Sequence, residues 1–379
     1  MMKKMIVAPD SFKGSLDATQ VCEIISAVAS KYFPDTEIIQ LPISDGGEGL
    51  VDALLSGCGG EKIWVTVHDP LGREVRSFYG LLKDGRAVIE MAAASGLPML
   101  APPERDILKA STFGTGELIK HALESGAREC IIGLGGSATH DGGAGAAAPL
   151  GIRYLDGDGH LILSGGELHR LETIDTAQLI PRFKETRFTI ASDVTNPLYG
   201  PSGAAAIFAL QKGASQEQLP VLEAGSIRLA ELVHAQTGID LQKIPGSGAA
   251  GGLAAPLIAF GNAQVRHGLD VVLDAIQFDS HLNGGDLVIT GEGRTDAQSS
   301  MGKVLGGIGQ RCKDKGVPVI ALSGALDEGY EQLYDFGITA CFAAARKSAT
   351  LDEMMADAED NLARAAEDLF RLIKWVNSQ

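Results

Sequence analysis

Thr290-Gly291-Glu292-Gly293-Arg294-Thr295-Asp296-Ala297-Gln298-Ser299-Ser300-Met301-Gly302-Lys303 is the stretch that decides how this chain reads. It follows Asp286-Leu287-Val288-Ile289, an apolar run that reads as a buried strand, and it leads into Val304-Leu305-Gly306-Gly307-Ile308. Fourteen residues carry two carboxylates, a guanidinium, an ammonium, four hydroxyls and three glycines. In an open α/β sheet, ligands bind in the crevice beyond the carboxyl ends of the strands. The stretch therefore predicts a site for an anionic ligand handled with the help of a metal ion.

The same design recurs towards the N-terminus. Met5-Ile6-Val7-Ala8 reads as a strand ending at Pro9-Asp10-Ser11-Phe12-Lys13-Gly14-Ser15, and residues 17–30 carry helical spacing through Val21, Ile24, Ile25 and Val28. Residues 37–41 read as a second strand ending at Ser44-Asp45-Gly46-Gly47-Glu48-Gly49, followed by a helix to Leu55. From Lys62 the texture changes. Residues 63–67 and 73–82 alternate apolar with polar around Asp69-Pro70-Leu71-Gly72, a hairpin signal. Strands are then expected at 87–91, 129–134 and 187–191, with helices at 115–125, 216–237 and 271–276. Strands at 287–290, 317–322 and 339–343 and a C-terminal helix over 350–376 return to the alternating pattern. The fold class is α/β: a doubly wound, mostly parallel, Rossmann-like domain formed by 1–62 and 284–379, with a second, mixed α/β domain, 63–283, inserted. Residues 111–151 could belong to either.

The net charge of −16 argues against a nucleic-acid partner, which needs a basic face. It leaves room for an anionic substrate, because a bound Mg²⁺ supplies local positive charge. Cys22, Cys58, Cys130, Cys312 and Cys341 are scattered and odd in number, which favours reduced thiols in a cytoplasmic protein. Met5–Ala8 are followed at once by Pro9-Asp10, so no secretory apolar region is read there. The longest uncharged run, 245–265, is broken by glycines, prolines and an asparagine and makes a poor membrane span.

Two glycine patterns mislead. Gly246–Gly251 fits G-x-G-x-x-G without a strand before it, and Met301-Gly302-Lys303-Val304 lacks the first glycine and the hydroxyl of a P-loop. Gly133-Leu134-Gly135-Gly136-Ser137-Ala138 is better placed, after a strand, where bare N–H groups at a helix start could cradle a phosphate. Asp10, Asp45, Asp193 and Asp296 each follow a strand. Any one of them could serve as a helix N-cap, but all four loops also carry Ser, Thr, Lys or Arg. Lys13 and Lys303 lie inside glycine-hydroxyl loops, and Arg294 sits between Glu292 and Asp296, placed either to pair with them or to clamp a carboxylate. The histidines show no zinc spacing, and only His140, beside Asp141, stands in such a loop. Phosphoryl transfer asks for donors and cations around phosphates, carboxylates for Mg²⁺ and a base near the accepting hydroxyl. The loops contain all three, which suits a small-molecule kinase.

Ala8–Leu16, Ile43–Gly49, Gly133–Gly145, Ser192–Leu198, Gln211-Lys212-Gly213-Ala214 and Thr290–Lys303 together resemble the bacterial glycerate kinase family, in order and nearly end to end. His140, where Asn is expected, and Leu305, where Pro is expected, depart from the pattern. The resemblance implies ATP- and Mg²⁺-dependent phosphorylation of D-glycerate, with the 2-phosphate favoured over the 3-phosphate, in a cleft between two α/β domains. It assigns catalysis to Asp193, Asp296, Arg294 and Lys13, and substrate binding to Asp10, Ser11, Asp45, Glu292 and Lys303. Gly135, Gly136, Ser137 and Asp141 are assigned to ATP, and Asp45 and Asp193 to the metal. Rival readings are another sugar or hydroxy-acid kinase, a nicotinamide-dependent hydroxy-acid dehydrogenase, for which the Asp10–Gly14 loop lacks the fingerprint, and a non-catalytic carboxylate-binding protein.

Overall fold

The computed structural model describes residues 2–300 and 303–378, so Met301 and Gly302 of the Thr290–Lys303 stretch lie outside the described residues. The chain divides into two compact units. One comprises Met1–Asp45, Asp52–Gly59 and Leu269–Gln379; the other comprises Gly46–Val51 and Gly60–Gly268, and so includes residues 111–151.

The first unit is built on a five-stranded sheet in the order Ala340–Ala343, Val319–Ser323, Leu287–Thr290, Lys4–Val7, Glu37–Gln40. Every pairing in it is parallel. Strands Lys4–Val7 and Leu287–Thr290 are central, and their short apolar runs have the unbroken hydrophobicity of strands covered on both faces. Helix Ala18–Tyr32 begins at a capping box, in which Asp17 accepts from the Gln20 amide at 2.8 Å and Gln20 accepts from the Asp17 amide at 2.9 Å. Its buried face (Val21, Cys22, Ile25, Ala29) shares a core with Leu362, Ala366, Leu369 and Phe370 of the last helix, Ala358–Val376. The expected single helix over 350–376 is interrupted at Asp357, which leaves a short helix, Leu351–Ala356, capped by Thr350.

From Lys4–Val7 the chain moves to one neighbour, Glu37–Gln40. From Leu287–Thr290 it moves the other way, to Val319–Ser323 and Ala340–Ala343. The two central strands thus flank the topological switch point, and the segments at their carboxyl ends, 8–16 and 291–300, open there.

The second unit holds a mixed six-stranded sheet in the order Gln264–Arg266, Arg187–Ala191, Glu129–Gly133, Ala87–Glu90, Glu74–Leu82, Gly60–His68. The first four strands are mutually parallel, and the last two form the antiparallel hairpin. The Asp69 carboxylate closes the hairpin by accepting from the Leu71 and Arg73 amides at 2.9 Å each. Four parallel strands send their following loops to one edge, which gathers 91–97, 134–141, 192–198 and 267–268. Tyr79, Tyr154, Phe183 and Phe188 are fully buried in this unit's core. The helix expected at 216–237 begins as a 3-10 turn, Gln216–Gln218. It becomes α-helical over Leu219–Thr237, where Pro220 is tolerated because the first turn needs no intrahelical donor. Among the described residues no helix is long and apolar enough to cross a membrane.

Gly114 lies in helix Phe113–Glu124, where alanine would ordinarily be favoured by about 1 kcal/mol. A Cβ there would meet the His68 carbonyl oxygen at 1.8 Å. Packing decides, and overfilling such a contact costs about 1–3 kcal/mol. Gly114→Ala is expected to lower the guanidinium midpoint of unfolding; an unchanged or raised midpoint overturns the close-packing account.

Candidate active site

In the first unit, the switch-point loops are stitched together before they diverge. The Ala8 amide donates to Ile289 O and the Asp10 amide to Gly291 O, each at 2.8 Å. Gly291 backs onto the next strand so closely that a Cβ would lie 2.0 Å from the Leu322 carbonyl oxygen. Gly293 lies against the Phe12–Lys13 backbone, with the Phe12 Cα 3.1 Å from where a Cβ would stand. Two loops far apart in sequence therefore share one small volume, and glycine is what permits the approach.

That volume is acidic. Burial, followed by the charge of Asp45 and, less strongly, that of Glu292, pushes the Asp10 carboxyl up to about 7. The Ser11 amide, 2.6 Å from Asp10 Oδ1, pulls the other way. Burial also raises Glu292, which is 8% exposed, while Lys303 is near enough for its charge to offset part of the rise. Glu292 Oε1 has no hydrogen-bond partner among the described residues. Thr295 and Ser323 are buried and share a 2.7 Å hydroxyl bond that holds the loop floor. Lys13, Asp45 and Lys303 are exposed, and Ser11 and Asp296 are half-buried. Arg294 does not pair with its flanking acids: it projects outward and binds Asp327, because the short pairing of Arg294–Thr295 with Ala325–Leu326 turns it to that side.

In the second unit, Gly135-Gly136-Ser137 leaves strand Glu129–Gly133 at the edge where Asp193 also lies. The strands are in register at Gly133 and Ala191, and the Leu134 amide donates to Ala191 O at 3.3 Å. The turn is tied to the loop after Ala87–Glu90, with the Leu97 amide donating to Gly136 O and the Ala138 amide to Ser95 O. Gly136 is exposed with φ +74°, a conformation that suits glycine. The sequence placed this turn at a helix start. Instead the next helix is the four-residue Ala144–Ala147, beyond Asp141. Any cradle here is made by the turn's own backbone and Ser137.

Asp141 is held within its own loop. It is fully buried, and its oxygens accept from the Thr112 amide and hydroxyl (2.7 Å each), the Gly143 amide (3.0 Å) and the Gly145 amide (3.2 Å). Its carboxylate ties Thr112 to the Gly143–Gly145 turn. His140 is likewise a core residue: its Nε2 lies 3.0 Å from Ser226 Oγ, and burial, with the charge of Lys212, holds its pKa down to about 3. Asp193 remains partly open, with its Oδ1 accepting from the Gly268 amide at 2.8 Å and lying 3.3 Å from His267 Nε2.

Sequence reasoning missed His267 and assigned no part to Lys212, whose Nζ donates to Ser137 Oγ at 2.6 Å. The only signal for Lys212 was its place in Gln211-Lys212-Gly213-Ala214. A separate hollow of about 550 Å³ in the second unit, lined by residues that include His68, Leu71, Leu108, Lys109, Phe113 and Glu167, contains none of the site residues above. Asp156, Asp158 and His160 bring three ligand-type atoms within 4.8 Å, but Asp156 is engaged by the Asp158 and His160 amides and by Arg170, so the group reads as a hairpin turn.

A carboxyl whose folded pKa lies above its unfolded value of 3.8 keeps its proton longer in the native state. Between pH 4 and about 7 the unfolded chain then binds fewer protons, and stability falls as pH rises. Asp10→Asn removes that burden. Its stability relative to wild type is expected to grow from pH 4 to pH 7.5 in denaturant titrations; a difference independent of pH overturns the reading of Asp10.

Comparison with known proteins places the chain in a family. The model of the glycerate kinase family matches residues 5–374. A Bacillus cereus protein named glycerate kinase is 44% identical over 378 residues, covering 99% of each chain. An Escherichia coli protein named glycerate 2-kinase is 42% identical over 368 residues, covering 97% of each. A solved structure bearing the name glycerate kinase 2, from Salmonella typhimurium LT2, superposes with a TM-score of 0.90 at 40% identity over the full length of both chains. With a family model spanning nearly the whole chain, and switch-point loops rich in carboxylates and cations, the protein belongs to the glycerate kinase family.

Proposed function

We propose that this protein transfers the γ-phosphoryl group of ATP to the 2-hydroxyl of D-glycerate, assisted by Mg²⁺, in the cytoplasm, with the two compact units as its domains. The observation that carries the reading is the acidic group Asp10, Asp45 and Glu292 at the switch point of a parallel sheet, with the exposed Lys303 acting on Glu292 and the exposed Lys13 three residues after Asp10 in the same loop. The name of the Escherichia coli relative favours the 2-hydroxyl over the 3-hydroxyl.

The residues present fit a divalent cation. Glu292 Oε1 has no hydrogen-bond partner among the described residues, and the neighbouring Asp10 carboxyl is pushed towards neutrality, so a cation placed here would relieve both. Asp45 and Glu292 would hold the ion, which when bound supplies positive charge to the phosphate oxygens. The chain's own groups do the rest. Lys13 and Lys303 receive the anionic groups of glycerate and the transferring phosphoryl, with Ser11 donating from the same loop. Gly135, Gly136 and Ser137 present donors to the ATP phosphates. Asp193, oriented by the Gly268 amide and His267, accepts the glycerate hydroxyl proton. Positioned proton acceptors of this kind contribute about 10²–10⁴-fold to rate. Asp296, whose amide donates to Ser299 Oγ at 3.1 Å, shapes the loop and assists. Arg294, held by Asp327, serves the substrate only if that ion pair opens.

Asp193→Asn is expected to lower kcat by about 10²–10⁴-fold with folding intact, and Asp296→Asn by less; near wild-type kcat in both overturns the assignment. Phosphorus NMR of the reaction with D-glycerate, ATP and Mg²⁺ identifies the product: an ester coupled to one carbon-bound proton is the 2-phosphate and an ester coupled to two is the 3-phosphate. Intact ATP with no ester, from folded protein, refutes the glycerate reading. Chelation of divalent cations is expected to abolish turnover, and restoring Mg²⁺ to recover it.

A further inference from the structure

Lys212 ends the 3-10 turn Leu210–Lys212 in the second unit, yet its side chain runs inward and the residue is only 4% exposed. Its Nζ donates to Ser137 Oγ at 2.6 Å and to the Thr139 carbonyl oxygen at 2.8 Å. Among the described residues it makes no ion pair with a carboxylate; Asp141 acts on it only at a distance, and burial pulls its pKa down to about 7. The following Gly213, at φ +97°, is pressed against Arg105, whose Cβ and carbonyl oxygen would each lie 2.8 Å from a Cβ there, so the corner admits no side chain. A buried ammonium without a counter-ion is costly, and in a chain of net charge −16 carboxylates are not scarce. The placement therefore calls for a functional reason.

The donor inventory supplies one. In its protonated form Lys212 has hydrogens to give and no lone pair, so in the 2.6 Å contact with the ammonium Ser137 Oγ is the acceptor. The serine's own proton then points away from Lys212, and among the described residues no acceptor takes it. This hydroxyl adjoins Gly135 and the exposed Gly136. A hydroxyl that accepts from a cation is a stronger donor through its remaining proton, because the two bonds polarise each other. The Thr139 carbonyl, held by the same ammonium, fixes the far side of the turn.

We propose that Lys212 is a positioning residue for the nucleotide: it turns the Ser137 hydroxyl proton outward as a charge-strengthened donor to a phosphate oxygen of ATP. The proposal rests on the reading that the Gly135–Ser137 turn meets the ATP phosphates. The ammonium itself does not touch the ligand; it acts through one shared oxygen.

The test is calorimetric binding of ATP, adenosine and D-glycerate to full-length wild type, Lys212→Met, Ser137→Ala, the double variant and Gly136→Ala, with thermal unfolding of each. Replacing a buried ammonium by a near-isosteric apolar chain is expected to preserve or raise the melting midpoint. Lys212→Met and Ser137→Ala are each expected to weaken ATP about tenfold, the loss of one charge-assisted hydrogen bond. The double variant is expected to be no weaker than the worse single, because both act through the same bond. Adenosine and glycerate affinities stay at the wild-type value. Should Lys212→Met fail to fold, Ser137→Ala alone decides, since an unchanged ATP affinity there overturns the proposal. If Gly136→Ala weakens ATP while Lys212→Met does not, the turn binds phosphate and the role of Lys212 is wrong. If none of the variants changes ATP affinity, the reading of the turn falls, and the proposal with it. Additive losses, or a loss confined to glycerate, also overturn it.

Discussion

Everything at the switch point depends on the parallel pairing of Lys4–Val7 with Leu287–Thr290, in register at Met5 with Leu287 and Val7 with Ile289. The strands are about 280 residues apart in the chain, but the entropic cost of such a closure grows only logarithmically, so each doubling of the loop adds about 0.6 kcal/mol. Near-continuous apolar burial of both strands supplies the opposing term. Once they pair, their following loops must emerge side by side, which brings Asp10 under the influence of Glu292; the pairing of Lys4–Val7 with Glu37–Gln40 on the other side adds that of Asp45.

That juxtaposition works against stability. Burying carboxylates close together drives Asp10 towards neutrality and raises Glu292. Folded proteins avoid such arrangements unless a cation or a protonation step makes use of them, and phosphoryl transfer can use both. The strain is contained by close backbone packing: Gly291 against Leu322 leaves no space for a side chain, and Gly293 packs tightly against Phe12. The glycines of the loop are therefore packing requirements as much as hinges for a ligand.

The second unit uses a different device. Its four parallel strands bring the Gly135–Ser137 turn and Asp193 to one edge through the Gly133–Ala191 register. The polar groups behind that edge, Asp141, His140 and Lys212, are buried and spend their bonds inward. At Asp141 four donors converge on the two oxygens of one buried carboxylate, which joins Thr112 to the Gly143–Gly145 turn.

The features legible in the residues alone follow from short-range physics. Apolar runs of four or five residues ending in acidic-glycine loops specified the parallel strands, Asp69-Pro70-Leu71-Gly72 specified the hairpin turn, and Asp17 with Gln20 specified a helix start. The motifs from Ala8 to Lys303 specified the family. Tertiary structure alone decided which side each polar group faces. Arg294 looks towards Asp327 rather than towards its sequence neighbours because a short strand pairing turns it there. Asp141 is spent on amides of its own loop. Lys212, with the ordinary appearance of a surface lysine, is carried inward to Ser137, 75 residues away in the chain. Local spacing fixes backbone conformation, but burial, charge coupling and hydrogen-bond direction arise only when distant segments are packed together, and those are the quantities that set the chemistry.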